Sequence, residues 1–249
     1  MILTIDVGNT GVTCGLFDND TIVKKFSMTS DIKLSEKTYK EDLSSYIGEI
    51  KIEGAIISSV VEEINDRLFN AVKSVCGVIP IKLTHNSNMP IKLNIHNNSE
   101  LGADRIANGV KGWDLYKQGV IIVDLGTATT FDIVNSNGEF IGGLIAPGIK
   151  TQLDSLGKAT EKLPIINAMS INTSIGNNTK DAILAGVIKG SAAMIDGMIE
   201  QVEQELKEKM KIILTGGYSD LISKYITHPI DLISKNITLE GLLLLYRLN

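Results

Sequence analysis

One local pattern occurs twice in this chain of 249 residues and limits the folds open to it. A short run rich in β-branched residues ends at an Asp-x-Gly loop, and a second strand-like run and a tight turn follow. The pattern covers residues 2–20, with its loop at Asp6, and returns at residues 120–138, with its loop at Asp124. A repeat of strand, loop and strand predicts two related α/β halves.

The remaining elements fit this α/β plan. Apolar runs predict further buried strands, and amphipathic stretches with turn signals between them predict helices. The strands are expected at residues 52–61, 78–83 and 211–214, and the helices at 63–75, 100–116 (with Ser99 as N-cap), 178–209 (with a break near Gly190) and from 238 onward. No low-complexity linker separates the halves, so we predict domains at residues 1–115 and 116–249 with a hinge near residue 115.

Composition and charge narrow the functional classes. Apolar residues make up 43% and charged residues 21% of the chain, which is typical of a globular protein. A net charge of −5 and the lack of a run rich in Lys or Arg argue against nucleic acid as a partner. The N-terminus lacks the basic and apolar regions of a signal peptide, and no run of about 18 apolar residues is free of charge. We therefore expect a cytoplasmic protein without a membrane span.

The cysteines and histidines do not form a metal-binding pattern. Cys14 and Cys76 lie far apart without a CxxC partner, and His85, His96 and His228 are scattered along the chain. We therefore predict neither a zinc site nor a disulfide, and two small buried side chains in a reducing compartment.

The first Asp-x-Gly loop, D-V-G-N-T at residues 6–10, has the residue types of a phosphate site. Gly8 lets the backbone approach a ligand closely, the N–H groups of the turn can form an anion nest, and the Asn and Thr add neutral donors. Asp6 repels a bare phosphate, so its natural role is through Mg²⁺, directly or through water. The alternative is a plain hairpin in which Asp and Asn stabilise the turn. The second copy at Asp124 favours two loops that clasp a polyphosphate.

Four further segments are candidates for a ligand site, and each has a purely structural alternative. They are L-G-A-D-R at 101–105, G-G-L-I-A-P-G at 142–148, I-G-N-N-T at 175–179 and T-G-G at 215–217. The first either suits an anionic ligand or only stabilises a helix start. The second indicates a structured loop lining a cleft. In the third, Asn178 or Thr179 either faces a ligand or is only an N-cap. The fourth suits adenosine or the phosphate tail, or is a common strand-end turn. No Walker A sequence occurs, so ATP would be bound without a P-loop.

Eight short motifs occur in a fixed order along nearly the whole chain. They are D-V-G-N-T (6–10), L-G-A-D-R (101–105), D-L-G-T-A-T-T (124–130), G-G-L-I-A-P-G-I (142–149), K-L-P (162–164), I-G-N-N-T (175–179), T-G-G (215–217) and T-L-E-G-L (238–242). Their order and approximate spacing resemble those of the type III pantothenate kinases. Any one motif is weak evidence, whereas eight in order are strong evidence.

The resemblance implies a fold and a reaction. The implied fold is α/β, of the acetate and sugar kinase, heat-shock ATPase and actin superfamily, with duplicated ribonuclease-H-like (actin-like ATPase) domains and a nucleotide cleft between them. The implied reaction is ATP-dependent phosphorylation of pantothenate to 4′-phosphopantothenate, the first step of coenzyme A synthesis. Similar enzymes are homodimers that use Mg²⁺ and need a monovalent cation, K⁺ or NH₄⁺.

The resemblance also implies roles for single residues. Asp104 is expected to be the general base on the substrate hydroxyl, Asp124 to ligate the monovalent cation, and Asp6 to meet Mg²⁺ through water. Pantothenate would be held by Gly102, Ala103, Asp104, Arg105 and Thr179. ATP would be contacted by Asp6, Val7, Gly8, Asn9, Thr10, Gly11, Val12, Thr13 and Thr127. In these roles the two Asp-x-Gly loops are no longer equivalent clamps.

One segment departs from the family pattern. Similar sequences carry a Tyr and a Pro shortly before the G-A-D-R segment, and the Tyr lines the pantothenate pocket, whereas residues 93–99 contain neither. Either His96 takes the place of the Tyr or this part of the pocket differs. Two alternatives therefore stay open: a kinase of the same superfold that acts on another small hydroxyl compound, and an accessory protein that binds nucleotide without turnover. The retained base candidate Asp104 argues against the second.

Overall fold

The computed structural model describes residues 1–159 and 163–249 and divides the chain into two compact units. Unit 1 comprises Met1–Asp114 and Asn236–Asn249, and unit 2 comprises Leu115–Lys235. Lys162, the first residue of the K-L-P motif, lies outside the described residues.

The secondary-structure elements are numbered in chain order. The strands are β1 (Ile2–Val7), β2 (Gly11–Asp18), β3 (Thr21–Thr29), β4 (Gly54–Ser59), β5 (Ile81–Lys82), β6 (Lys92–Leu93), β7 (Val120–Leu125), β8 (Ala128–Val134), β9 (Glu139–Pro147), β10 (Lys211–Thr215) and β11 (Leu232–Ile233). The helices are α1 (Glu36–Ile47), α2 (Glu62–Cys76), α3 (Ala103–Tyr116), α4 (Ile149–Ala159), α5 (Thr179–Leu184), α6 (Gly190–Leu206), α7 (Ser219–Ile222) and α8 (Ile237–Leu248). A 3₁₀ turn covers Asn98–Glu100, and a π turn, Ala185–Lys189, joins α5 to α6.

The strands of the two units follow the same topology. In unit 1 the order is β3-β2-β1-β4-β5, and in unit 2 it is β9-β8-β7-β10-β11. In each unit the first three strands form an antiparallel meander, and the last two run parallel to the central strand. The repeated sequence pattern is therefore a repeat of topology as well.

The central strands β1 and β7 are buried along most of their length. Every residue of β7 except Asp124 is buried, and in β1 the buried residues run from Leu3 to Ile5 and resume at Val7. In unit 1 the apolar side chains of the sheet pack with α1 and α2, and in unit 2 with α4, α5 and α6. A strand that is flanked by strands on both sides and covered by helices requires a nearly continuous apolar run. For this reason β1 and β7 can be predicted from the sequence.

The C-terminal helix α8 belongs to unit 1, and this corrects the predicted second domain of residues 116–249. Helix α8 packs on β1, β2 and β4, and its residues Leu239, Leu242 and Leu245 are buried. Burial of this apolar face stabilises unit 1 by the hydrophobic effect. The division near residue 115 agrees with the structure, which places the first boundary between Asp114 and Leu115.

Four local expectations also need correction. The G-G-L-I-A-P-G segment, expected as a loop, forms most of strand β9. Ser99 is not the N-cap of a helix from residue 100: it lies in the 3₁₀ turn and bonds to Asn97 Oδ1, and α3 begins only at Ala103. The strand expected at 78–83 is reduced to the two residues of β5. The strand expected at 52–61 covers only the six residues of β4.

One helical run among the described residues, Thr179–Leu206, is long and apolar enough by length and composition to cross a membrane. Half of its most apolar window is buried inside the protein, and residues such as Ile188, Ile195 and Ile199 pack in the core of unit 2. The core helix of a water-soluble protein passes the same test. The predicted break near Gly190 corresponds to the π turn that ends at Lys189.

Asp196 on α6 fixes the segment that leads to β11. Its carboxylate accepts hydrogen bonds from the N–H and hydroxyl of Thr227, at 2.9 and 2.6 Å, and from the N–H of His228 at 3.0 Å. Burial opposes ionisation of this carboxyl, but these hydrogen bonds outweigh it, so the pKa of Asp196 lies below its ordinary value.

We expect Asp196→Ala to destabilise the protein by about 1–3 kcal/mol near neutral pH, because three donors lose their acceptor. A folded-state pKa below the unfolded value of about 3.9 means that the stabilisation is present above that value and is lost as the pH falls through the folded pKa. The difference from the wild type should therefore shrink below about pH 4. Urea unfolding at a series of pH values measures it.

Asp220→Ala is the matched control, since Asp220 forms an exposed ion pair with Lys235 and should change stability by less than about 1 kcal/mol. A difference for Asp196→Ala that is unchanged in acid would contradict the assignment.

Candidate active site

The first Asp-x-Gly loop is a hairpin turn at the end of the central strand of unit 1. Val7 pairs with Val12 at the end of the ladder, and the N–H of Gly8 donates to the carbonyl oxygen of Gly11 over 3.0 Å. Asn9 and Thr10 lie at the exposed tip of the turn. The turn therefore presents backbone and two short polar side chains directly beside Asp6.

Asp6 is partly buried and bonds to a hydroxyl on the neighbouring strand. It is in register with Ser58 of β4, and Ser58 Oγ donates to Asp6 Oδ1 at 2.6 Å. Burial raises the pKa of Asp6, the negative charge of Asp104 raises it further, and the Ser58 bond opposes both effects, which leaves a pKa of about 7.

Asp104 lies in the first turn of α3, where the N–H of Arg105 donates to its Oδ1 at 2.8 Å. A Cβ at Gly102 would lie 2.5 Å from the same oxygen, so any side chain at that position would push the carboxylate aside. Burial raises the pKa of Asp104, while the N–H and the charge of Arg105 oppose the shift. Unit 1 thus holds two neighbouring carboxyl groups, Asp6 and Asp104, that resist ionisation.

This pair fits a divalent cation only in company with other ligands. Mg²⁺ takes six oxygen ligands in octahedral geometry and commonly uses one or two carboxylates together with waters and substrate phosphates. In the part of the chain that the structure describes, no group of three or more His, Cys, Asp or Glu side chains could hold a metal ion. The residues therefore suit Mg²⁺ that arrives with a nucleotide, and they do not form a cage for a metal bound by protein alone.

In unit 2 the second Asp-x-Gly loop and the T-G-G motif are folded onto each other. The N–H of Gly126 donates to the carbonyl oxygen of Ala128 at 3.0 Å, which closes the turn. Gly216 has a φ of +85°, and a Cβ there would lie 2.5 Å from Asp124 Oδ1. Only glycine meets both conditions, the left-handed backbone and the close approach to the carboxylate.

Each of the two loop aspartates lies between hydroxyl residues of the adjacent strands. The rows in register are Thr13–Asp6–Ser58 in unit 1 and Thr130–Asp124–Thr215 in unit 2. Residues in register on adjacent strands point to the same face of the sheet. The sequence does not single out Ser58, and the available signal is a polar residue at the end of an otherwise apolar run, A-I-I-S-S.

The shape of the second loop is fixed from β9 and α4. The carbonyl oxygen of Thr127 accepts from the N–H of Gly148 at 3.1 Å and from Thr151 Oγ1 at 2.7 Å. The last glycine of the G-G-L-I-A-P-G motif therefore contacts the loop that carries Thr127. Gly148 and Thr151 are contacts that the sequence pattern alone does not predict.

The I-G-N-N-T segment precedes α5, as expected. Asn178 is the N-cap, since its Oδ1 accepts from the N–H of Asp181 at 2.9 Å, and Thr179 is the exposed first residue of the helix. His96, the candidate replacement for the absent Tyr, is an exposed residue of unit 1 just before the 3₁₀ turn.

Comparison with known sequences gives one family. A family model described as type III pantothenate kinase matches residues 2–201. A type III pantothenate kinase from Persephonella marina is 34% identical over 253 residues, which cover 99% of this chain and 98% of that protein. One from Finegoldia magna is 36% identical over 260 residues, covering 100% and 98%.

Solved structures of low sequence identity share the fold. The activator of 2-hydroxyisocaproyl-CoA dehydratase from Clostridium difficile with bound ADPNP has a TM-score of 0.56 at 13% identity and covers 98% of this chain and 92% of its own. MreB 5 of Spiroplasma citri bound to AMPPNP has a TM-score of 0.55 at 12% identity, covering 99% and 96%. A ROK family glucokinase from Streptomyces griseus has a TM-score of 0.51 at 13% identity, covering 99% and 100%. The predicted duplicated, actin-like ATPase fold is confirmed.

We expect Asp6→Asn to stabilise the unliganded protein by about 1–4 kcal/mol in metal-free buffer above pH 7, because it removes a charge that is unfavourable in the folded state. The folded pKa of Asp6, about 7, exceeds the unfolded value. The destabilisation of the wild type by the ionised carboxyl group should therefore be absent near pH 4, increase up to about pH 7 and stay constant above that pH. The Asn side chain keeps an oxygen that can accept from Ser58. Urea unfolding in EDTA across this pH range measures the difference.

Asp66→Asn, the same change at an exposed position of α2, should have little effect at any pH. An Asp6→Asn variant that is less stable than the wild type above pH 7 would refute the prediction.

Proposed function

Because the chain belongs to the type III pantothenate kinase family, we propose that it transfers the γ-phosphoryl group of ATP to the 4′-hydroxyl of pantothenate. The product is 4′-phosphopantothenate, and the reaction is the first step of coenzyme A biosynthesis. The observation that carries the proposal is the family match over residues 2–201, which includes the neighbouring carboxyl groups of Asp6 and Asp104.

Asp104 is the general base in this proposal. It accepts the proton of the 4′-hydroxyl while the hydroxyl oxygen bonds to the γ-phosphorus and the bond from phosphorus to the bridging oxygen of ADP breaks. The raised pKa of Asp104 supports the role, since a stronger base accepts the proton more readily. Because Gly102 has no side chain, the Asp104 carboxylate can occupy its place at the start of α3.

The residues proposed for pantothenate lie in two segments of the chain. The residues proposed to contact it are Gly102, Ala103, Asp104, Arg105 and Thr179. Arg105 supplies a positive charge that suits the anionic substrate. Thr179 is exposed at the first position of its helix, where a hydroxyl is accessible to a ligand.

ATP is contacted by the two hairpin loops. The proposed contacts are Asp6, Val7, Gly8, Asn9, Thr10, Gly11, Val12, Thr13 and Thr127. Asp6 would hold Mg²⁺ through water, and the ion would supply positive charge to offset that of the phosphates. The partial burial of Asp6 and the neighbouring charge of Asp104 support this role, because a cation relieves the unfavourable ionisation of both groups.

Asp124 holds the monovalent cation, K⁺ or NH₄⁺. A Cβ at Gly216 would lie 2.5 Å from Asp124 Oδ1, so the glycine keeps this carboxylate oxygen clear of a side chain from position 216. The sequence has no P-loop lysine, so a cation held by Asp124 would supply the positive charge that a lysine supplies in P-loop enzymes. From the family we also propose a homodimer in the cytoplasm, and the net charge of −5 supports the absence of nucleic-acid partners.

The direct test is a phosphorylation assay with ATP, Mg²⁺ and pantothenate, in which K⁺ is exchanged for Na⁺. We expect 4′-phosphopantothenate with K⁺ and much less with Na⁺. The missing Tyr before Gly102 makes other small hydroxyl compounds the competing substrates, so they belong in the same assay. Turnover of one of them and none of pantothenate would overturn the substrate assignment.

Asp104→Asn should fold normally and lose about 10²–10⁴-fold in kcat, because an amide cannot accept the hydroxyl proton. Its melting temperature should not fall below that of the wild type, and it should still bind Mg·ATP. The control Asp66→Asn should keep full activity. Turnover at the wild-type rate in Asp104→Asn would show that another group is the base.

Asp124→Asn should weaken the response to K⁺. We expect the K⁺ concentration for half-maximal activity to rise about tenfold or more, since a neutral amide attracts the cation less strongly than a carboxylate. A K⁺ titration of both proteins at saturating ATP and pantothenate measures the shift. If Asp124→Asn has a reduced kcat but the same K⁺ titration curve as the wild type, Asp124 does not bind the cation and has a different role.

A further inference from the structure

Ser58 is a buried polar residue in direct contact with the proposed catalytic machinery. It is fully buried in β4, and its Oγ donates to Asp6 Oδ1 at 2.6 Å. This length is typical of a charge-assisted O–H···O⁻ bond, which is roughly twice as strong as a bond between neutral groups.

The sheet itself fixes this contact. β1 and β4 run in parallel with Asp6 and Ser58 in register, so the two side chains leave the sheet side by side on one face. A change of register by one residue would turn Ser58 to the opposite face. The position of the hydroxyl is therefore set by backbone pairing over six residue pairs and does not depend on a flexible loop.

The second half of the chain has a hydroxyl residue at the equivalent position. Thr215 of β10 is in register with Asp124 of β7, as Ser58 of β4 is with Asp6 of β1, and Thr215 is also buried. The two halves differ widely in sequence, yet both have a buried hydroxyl residue at this place. This recurrence indicates a role at the loop aspartate, since packing alone would be satisfied by an apolar residue such as the alanine or valine typical of a buried strand.

We propose that Ser58 is a positioning residue for phosphoryl transfer, which acts by holding Oδ1 of Asp6 and thereby fixing how the Asp6 carboxylate meets Mg·ATP. The proposal rests on the proposed role of Asp6. With one carboxylate oxygen bound by Ser58, the other is the oxygen that can accept from a metal-bound water. Without the hydroxyl, the carboxylate can rotate about its last side-chain bond, a torsion that is broad and poorly defined by intrinsic preference.

The test compares three variants with the wild type. Ser58→Ala removes the hydroxyl, and Ser58→Thr restores it with one added methyl group. Thr4→Val is the matched control. Thr4 is fully buried on β1, two residues before Asp6 and hence on the same face, and its hydroxyl donates to the carbonyl oxygen of Gly15 at 3.4 Å. Thr4→Val therefore removes a buried hydroxyl from the same surface without touching Asp6.

Two readouts separate positioning from general stability. Calorimetric titration with a non-hydrolysable ATP analogue, with and without Mg²⁺, gives the gain in affinity due to the metal. Steady-state kinetics gives kcat and the KM values for Mg·ATP and pantothenate. For Ser58→Ala we expect the Mg²⁺-dependent gain to fall about tenfold and kcat to fall by a similar factor, with the KM for pantothenate unchanged. Ser58→Thr should recover most of the loss, and Thr4→Val should show neither change.

Two results would overturn the proposal. One is a Ser58→Ala variant whose Mg²⁺-dependent gain equals that of the wild type. The other is a Thr4→Val variant that shows the same losses, which would make the effect one of sheet stability. If the wild type fails to phosphorylate pantothenate while Ser58→Ala still lowers the Mg²⁺-dependent gain, the substrate assignment fails and the role of Ser58 stands.

Discussion

The burial of Asp6 beside the carboxylate of Asp104 is the constraint on which the candidate site depends. Burial raises the pKa of both carboxyl groups, and the charge of Asp104 raises the pKa of Asp6 further. Such a pair persists only when rigid elements hold it. Asp6 lies on the central strand of a five-stranded sheet and Asp104 on the first turn of a helix, so neither can move away without loss of buried apolar packing. The fold thus accepts an unfavourable local charge at the place where a cation and phosphates would relieve it.

The duplicated topology places the same loop pattern in two different surroundings. Both loop aspartates stand at the next-to-last residue of a central strand, between two hydroxyl residues. Their other neighbours differ: Asp6 has a second carboxylate nearby, whereas Asp124 has Gly216 against its oxygen. Two neighbouring carboxylates attract a divalent cation more strongly than one does, which supports the proposed role of Asp6. The two halves therefore share the strand topology and differ in the residues that surround each aspartate.

The sequence predicts those parts of the structure that depend on local pattern. The strands β1 and β7, the hairpin turns after them and the two loop aspartates are predictable from sequence, because central buried strands require continuous apolar runs and Asp, Asn and Gly are typical of turns. The strand β9 cannot be predicted from the sequence, since its Gly and Pro residues are typical of a loop and its strand conformation depends on pairing with β8. The contact between Ser58 and Asp6 cannot be predicted from the sequence either. This contact follows from the register of two strands about fifty residues apart, which no local pattern encodes.

The helix α8 shows why a motif at the far end of the chain belongs to the active-site framework. Its T-L-E-G-L segment packs on α3, where a Cβ at Gly241 would lie 2.1 Å from the carbonyl oxygen of Ala107. Thr238 Oγ1 donates to Asn108 Oδ1 at 2.8 Å, and Glu240 pairs with Lys111 at 3.4 Å. Positions 104, 108 and 111 recur on one face of a helix. The C-terminal helix therefore supports the same face of α3 that carries Asp104, which ties the position of the proposed base to a segment more than 130 residues away in the sequence.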